Sequence, residues 1–234
     1  MNARHEYAPN LDHVLEDIET GHNYTRWIVD RARPYLRGRV LDAGAGTGTF
    51  TEAVADAADE VVALEPEHRF VDVLQKRFAA DARVHVVHGG AETLGSDLGD
   101  FDAIVCLNVL EHIRDDRRAL AAMHERLNKD GTLLLLVPAH ASLVSPFDRA
   151  VGHARRYTRD ALASALYDAG FTVDVLRFVN PIGAVAWFLR MRMLRQREWP
   201  STTFHVFDRL VPFFRPFDAL RLPFGLSLWA VARR

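Results

Sequence analysis

The chain carries a single cysteine, Cys106, which excludes an internal disulfide and any metal site built from several thiolates. Its setting in the apolar run IVCL points to a buried core residue. No stretch approaches the roughly 18 apolar residues of a membrane-spanning helix, and the polar start MNARHEYAPN has no hydrophobic signal region. A cytoplasmic protein is expected. Neither charge sign is in excess: 29 Lys plus Arg stand against 31 Asp plus Glu, so nothing draws the chain to nucleic acid. Lysine is scarce beside arginine and alanine is abundant, a composition of GC-rich bacterial genomes. Absent too are H-E-x-x-H, G-x-S-x-G and G-x-x-x-x-G-K-[ST], along with internal repeats and low-complexity segments. Those metalloprotease, serine-hydrolase and phosphate-loop chemistries lack their residues, and no metal is expected. A length of 234 residues fits one large domain or a domain with a modest appendage.

What is present is organised around residues 39–50, RVLDAGAGTGTF. A short strand-type run meets glycines at alternate positions, Gly44, Gly46 and Gly48, which let the backbone turn sharply and approach a ligand. The apolar-periodic segment after them opens as a helix whose free N–H groups face that ligand. A dinucleotide fingerprint, G-x-G-x-x-G counted from Gly44, would need glycine where Thr49 stands. Asp42 at the strand end can accept hydrogen bonds from a cationic amino acid moiety. In this D-x-G-x-G-x-G order the sequence resembles the class I S-adenosylmethionine (SAM) dependent methyltransferases. A second strand, residues 60–64 (EVVAL), ends in Glu65, about 20 residues past the turn, where a nucleoside-binding sheet puts a carboxylate on the ribose hydroxyls. The string NVLEHI after the fourth strand, residues 101–107, matches the family's motif beside the methionine part of SAM.

The resemblance implies SAM as cofactor and an α/β, Rossmann-like seven-stranded sheet, mostly parallel, in the order 3-2-1-4-5-7-6. Helices on both faces and a reversed final hairpin also follow from the order of elements along the chain. The expected cofactor residues are Tyr24, Asp42, Gly44, Ala45, Gly46, Glu65, Pro66, Gly90, Ala91, Glu92, Asn108 and Val109. Gly90 stands where the family commonly has an aspartate for the adenine amino group, so Glu92 or the Ala91 amide is left to make that contact. Residues 1–37 read as a helical lid, 38–180 as the SAM-binding core, 181–224 as a cap insert and 225–234 as the final strand.

A long connection, residues 139–157, follows the fifth strand and sits at the same sheet edge as the glycine turn. Its end, GHARRYT, matches a G-H-x-R-R-Y-T string of a bacterial branch of these methyltransferases. His153 leads the candidates for a general base, with Tyr157, His140 and His112 after it, while Arg155 and Arg156 are potential anion partners. The insert interleaves aromatic and methionine residues with seven arginines against three acids, Glu198, Asp208 and Asp218. That composition suits an apolar substrate wall, a dimer contact or a membrane-surface attachment. The expected reaction is methyl transfer to a small-molecule acceptor, hydrophobic or lipid-linked. A non-catalytic SAM-binding accessory protein and a nicotinamide-dependent oxidoreductase are the alternatives.

Overall fold

The computed structural model describes residues 11–193 and 201–234. Leu194, Arg195, Arg197 and Glu198 of the insert, the side chains of Met191, Arg192 and Met193, and the first ten residues of the lid lie outside the described residues.

In chain order the elements are α1 (Leu11–Thr20), α2 (His22–Ala32), β1 (Arg39–Ala43), α3 (Thr49–Ala55), β2 (Glu60–Glu65), α4 (His68–Arg77), β3 (Val84–His88) and β4 (Phe101–Leu107). Then come α5 (Asp116–Arg126), β5 (Leu127–Pro138), α6 (Pro146–Ala150), α7 (Arg159–Asp168), β6 (Thr172–Val179), α8 (Pro181–Trp187), α9 (Ser201–Phe214) and β7 (Ser227–Arg233). The strands form one sheet in the order β3-β2-β1-β4-β5-β7-β6. Strands β1 to β5 are parallel, and β7 runs antiparallel to both β5 and β6. Central strands buried on both faces need apolar residues at every position, which is why VVAL, AIVCL and LLLLV appear as unbroken runs. Leu41, Ile104, Leu133 and Leu135 point to one core and Val40, Ala103, Val105 and Leu134 to the other, the alternation a strand imposes.

Lys129, Asp130 and Gly131 are turn-type residues, yet they lie inside β5, where pairing with β4 jumps from Phe101↔Leu127 to Ala103↔Thr132. Asp130 takes φ 65° there, so the chain bulges and rejoins the same strand instead of ending it.

The carboxyl ends of the parallel strands share one edge, the place where open α/β sheets take ligands. There the chain leaves β4, β5 and β6 through non-glycine residues at positive φ: Asn108 (56°), His140 (63°) and Asn180 (59°). Asparagine tolerates this conformation through local hydrogen bonds, and the Asn180 side chain accepts from the Gly183 amide to open α8.

Long-range carboxylates tie the cap to the N-terminal helices. Gly21 gives α2 no side-chain cap; instead buried Asp208 of α9 accepts from the Tyr24 amide at 2.8 Å and from Asn23 Nδ2 at 3.1 Å. Asp218 likewise accepts from the Asn180 amide at 2.8 Å and from the Arg31 guanidinium. Asp208→Ala is therefore expected to cost about 1–2 kcal/mol, as loss of a helix cap does. A thermal midpoint lowered by roughly 2–6 °C would register it, and an unchanged melting curve would mean that the cap is not coupled to α2.

Candidate cofactor and acceptor site

After Asp42 and Ala43 the chain turns through Gly44 (φ 85°), Gly46 (φ 56°) and Gly48 (φ 92°). The three glycines do different work. A Cβ on Gly44 would lie 2.6 Å from both methyls of Val109, whereas on Gly46 the nearest atom, of Leu15 in α1, is 3.3 Å away. A Cβ on Gly48 would strike Phe78 at 2.7 Å and Leu74 at 2.9 Å. Gly48 thus seats α3 against α4, which corrects the expectation that all three glycines serve a ligand. The first amides of the turn are also occupied: Gly44 N and Ala45 N donate to the Leu64 carbonyl, and Gly46 N donates to Glu65 Oε2 at 2.8 Å.

Asp42 is buried and accepts from the Thr51 hydroxyl at 2.7 Å. It is not among the residues that line the cavity, and through Thr51 it fixes α3 beneath the turn. Burial pushes its pKa up to about 6, against the Thr51 hydrogen bond and helped by the nearby Glu65 charge. A carboxyl raised from 3.8 to about 6 on folding stabilises the fold when protonated. That contribution is full below about pH 4 and is lost as pH rises through 6. Asp42→Asn keeps an acceptor for Thr51 and removes the titration. Relative to the parent, the variant should match it near pH 4 and gain up to about 3 kcal/mol by pH 7 in urea unfolding; a pH-independent difference would refute the assignment.

Glu65 is 4% exposed, and its oxygens accept from Gly46 N and, at 2.9 Å, from Glu67 N. Burial raises its pKa while these two amides pull it down. It braces the glycine turn against the end of β2, and each oxygen keeps a lone pair for a hydroxyl. Pairing of Glu65 with His88 brings Pro66, Gly90, Ala91 and Glu92 to the same corner of the sheet, outside the central cavity.

That cavity, of about 460 Å³, lies between α1, the glycine turn, the end of β4, α8 and α9. From the expected set it brings together Tyr24, Gly44, Ala45, Gly46, Asn108, Val109, His112 and His153. The Tyr24 phenol, its pKa pushed up to about 12 by burial, bonds to the Asn108 side chain. Its ring packs against Trp27, Phe204 and Phe207.

Two candidate bases fall elsewhere. The ring of His140 stacks on Phe178 with centroids 5.0 Å apart and does not line the cavity. Tyr157 is buried with its hydroxyl 2.7 Å from Asp116 Oδ2, and burial together with that carboxylate raises its pKa, so it stays a donor that pins the loop to α5. A sequence string cannot tell which of its side chains turn inward.

The 139–157 loop folds back on itself. Its ends are zipped by His140 N to Tyr157 O and Tyr157 N to Pro138 O, and α6 is opened by a reciprocal Ser145–Asp148 capping box. Asp148 is wholly buried: Oδ2 accepts from Ser145 N and Oγ, while Oδ1 accepts from Arg156 Nε at 2.7 Å and faces His153 Nδ1 at 2.9 Å. Burial alone would raise its pKa, but the His153 hydrogen bond, the Arg156 charge and the Ser145 hydrogen bond bring it down to about 2. Arg156 also stacks over Trp187 at 4.5 Å, and Arg155 pairs with Asp116. Both arginines already hold carboxylates of the protein, which corrects their reading as anion partners for a ligand.

His153 Nε2 lies 3.9 Å from Glu111 Oε1, and the His112 ring meets the His153 ring edge-on at 4.8 Å between centroids. Glu111 is 1% exposed, and its Oε2 has no hydrogen-bond partner among the described residues. Burial pushes its pKa up to about 7 against the opposing charges of His153 and Arg156. Sequence reasoning missed Glu111, Asp148 and the cavity-lining Asp17 and Asn180. Only Asp148 carried a local signal, its capping-box spacing from Ser145.

A family model described as a methyltransferase domain matches residues 3–176. The chain belongs to the SAM-dependent methyltransferases. The ubiquinone biosynthesis O-methyltransferase of Schizosaccharomyces pombe is 32% identical to this methyltransferase over 113 residues, 46% of the chain and 40% of the relative. A demethylmenaquinone methyltransferase of Clavibacter sepedonicus is 32% identical over 47% of the chain and 46% of its own length. A probable SAM-dependent methyltransferase of Mycobacterium tuberculosis is 29% identical over 63% of the chain and 54% of the relative. The chain thus spans about half the length of the curated relatives it matches. Among solved structures, a SAM-dependent methyltransferase from Mesorhizobium loti has a TM-score of 0.62 at 17% identity, covering 90% of this chain and 98% of that one. The NodS N-methyltransferase of Bradyrhizobium japonicum, in complex with S-adenosylhomocysteine, has a TM-score of 0.59 at 15% identity over 92% and 86%. Such likenesses establish the fold.

The residues of this methyltransferase fit SAM. An added Cβ on Gly46 would meet nothing closer than Leu15 at 3.3 Å, so the turn presents a surface free of Cβ to the cavity there. The carboxylates of Asp17 and Glu111 line that cavity and suit a cationic sulfonium and ammonium. Family membership sets aside the nicotinamide-dependent oxidoreductase.

Proposed function

We propose that this methyltransferase methylates an oxygen or nitrogen of a small apolar acceptor, free or lipid-linked, inside the shared cavity. The observation that carries this reading is that the glycine turn and the Glu111–His112–His153 corner face one space, walled by Tyr24, Phe147, Trp187, Phe204 and Phe207. Bound there, SAM supplies a methyl group already activated on a sulfonium. Tyr24 and Asn108 hold the donor side, with Glu65 and the Gly90–Glu92 segment toward the nucleoside. The aromatic wall excludes water and orients the acceptor, which is worth several kcal/mol of barrier in alignment alone. His153, aimed by Asp148, takes the proton of a hydroxyl or ammonium acceptor, with Glu111 beside it. Quinone biosynthesis, named for two of the relatives, supplies acceptors of the apolar kind that suits this wall.

Among the described residues no helix is long and apolar enough to cross a membrane. We infer a cytoplasmic protein whose cap rests on a lipid surface: Val206, Phe213 and Leu220 are 57%, 71% and 61% exposed there. Incubating the protein with methyl-labelled SAM and either the lipid or the aqueous fraction of a cell extract tests the proposal. Label in the organic phase is expected, and its loss with His153→Ala. Label only in aqueous products would refute the apolar acceptor, and SAM binding without any transfer would favour the accessory-protein reading.

A further inference from the structure

We propose that Glu111, His112 and His153 form a binding site for one divalent transition-metal cation. Each offers one ligand atom, and these atoms lie within 4.8 Å of one another. They come from two separate segments, the turn after β4 and the loop before α7. The Ala154 amide donates to the Glu111 carbonyl at 2.8 Å, so backbone bonding fixes their approach.

Glu111 supplies an independent observation. Its side chain is 1% exposed and lines the cavity, yet Oε2 has no hydrogen-bond partner among the described residues. A carboxylate oxygen taken out of water without a partner is costly, and a cation beside it would remove that cost. The outer shell is also in place: Asp148 engages His153 Nδ1 at 2.9 Å, which leaves Nε2 aimed at Glu111. Carboxylate–histidine pairs of this kind fix the tautomer and ring angle of metal-bound imidazoles. Arg156, whose charge reaches Glu111, is paired to Asp148 at 2.7 Å, so its charge is largely offset.

Two ligands on one ion at about 2.1 Å can be at most about 4.2 Å apart. The 3.9 Å between His153 Nε2 and Glu111 Oε1 already meets this, and the widest gap, within 4.8 Å, closes by roughly half an ångström with a small turn of a side chain. Two imidazoles and one carboxylate suit zinc, manganese or iron(II), and three protein ligands leave positions open toward the cavity. Water or the acceptor's oxygen would fill them; with the ion bound, His153 Nε2 would be a ligand, and the metal would loosen the acceptor's proton in place of His153. The inference rests on the reading above only for that use, since the ion can be titrated without an acceptor.

The test is calorimetric titration of chelator-stripped full-length protein with zinc chloride, and with cobalt chloride followed by visible absorption. One equivalent bound at micromolar or tighter affinity is expected, weakened at least about tenfold in Glu111→Gln and in His153→Ala. His112→Ala serves if either fails to keep its circular dichroism and its binding of S-adenosylhomocysteine. Binding unchanged in these variants would overturn the proposal, as would binding lost only with His88→Ala, whose ring stacks on His68 at 3.7 Å on another part of the surface. No binding below millimolar concentrations would overturn it equally. Metal binding without methyl transfer would leave the site standing and remove the functional reading; methyl transfer by protein that binds no ion in the titration would do the reverse.

Discussion

Asp148→Asn is expected to destabilise the protein by about 3 kcal/mol or more at pH 7, because it leaves a buried guanidinium without its charge partner. The Arg156 side chain is 2% exposed, and Asp148 is the carboxylate that pairs with it. The same substitution loosens Ser145 and His153, so the loop should lose its grip on the cavity edge as well. The pH dependence has a definite sign. A carboxyl held at about 2 when folded and 3.8 otherwise contributes stability above pH 4 that is lost as pH falls through 2. Urea unfolding should therefore show a parent–variant gap that is widest at neutral pH and narrows in acid. If the gap at pH 7 is under about 1 kcal/mol, the value of an exposed pair, Asp148 is not the hub described. A double-mutant cycle with Arg156→Met separates the two partners, and a coupling near zero would assign the cost to Ser145 and His153 instead.

Gly44→Ala carries the second large effect, on cofactor affinity. Alanine at φ 85° costs about 1–2 kcal/mol in conformation, and its methyl would meet two carbons of Val109 at 2.6 Å. The turn, the Val109 backbone or both must shift, and both line the cavity. Binding of S-adenosylhomocysteine is expected to weaken about a hundredfold, or about 2.7 kcal/mol. Gly99→Ala is the control: it imposes a similar φ of 70° with only the end of a flexible arginine within 3.3 Å. It should lower stability and leave binding unchanged. Val109→Ala added to Gly44→Ala should recover part of the affinity, since it removes the two methyls in the way. Equal losses at Gly44 and Gly99 would show that strain alone, and not the approach of the turn to a ligand, decides the result.

The sheet was legible because its signals are local and redundant. Runs such as AIVCL and LLLLV admit only doubly buried strands, and the glycine turn names the strand it follows. Strand order across the sheet came from family resemblance, which the pairing bears out. The bulge in β5 was hidden because Asp130 and Gly131 look the same in a turn and in an excursion from a strand. At the site, sequence gave the residues that border the cavity from β1 and β4, whose neighbours are fixed by the sheet. It misjudged the loop. His140 and Tyr157 have the chemistry of bases but are turned toward Phe178 and Asp116, while Glu111 and Asp148 acquire their character from burial among residues 5 to 45 positions away. Burial of that kind is a property of the tertiary fold and leaves no mark in a window of sequence.

The position of β7 between β5 and β6 has a kinetic consequence. On the ribosome, residues 132–138 are made some ninety residues before the strand that covers them, residues 227–233. Until then β5 presents an open, apolar edge, and β6 has no neighbour in the sheet. Such edges pair with other chains, and non-local pairing is slow. The nascent chain passes through a stage in which its most aggregation-prone surface is complete and its last strand has yet to emerge.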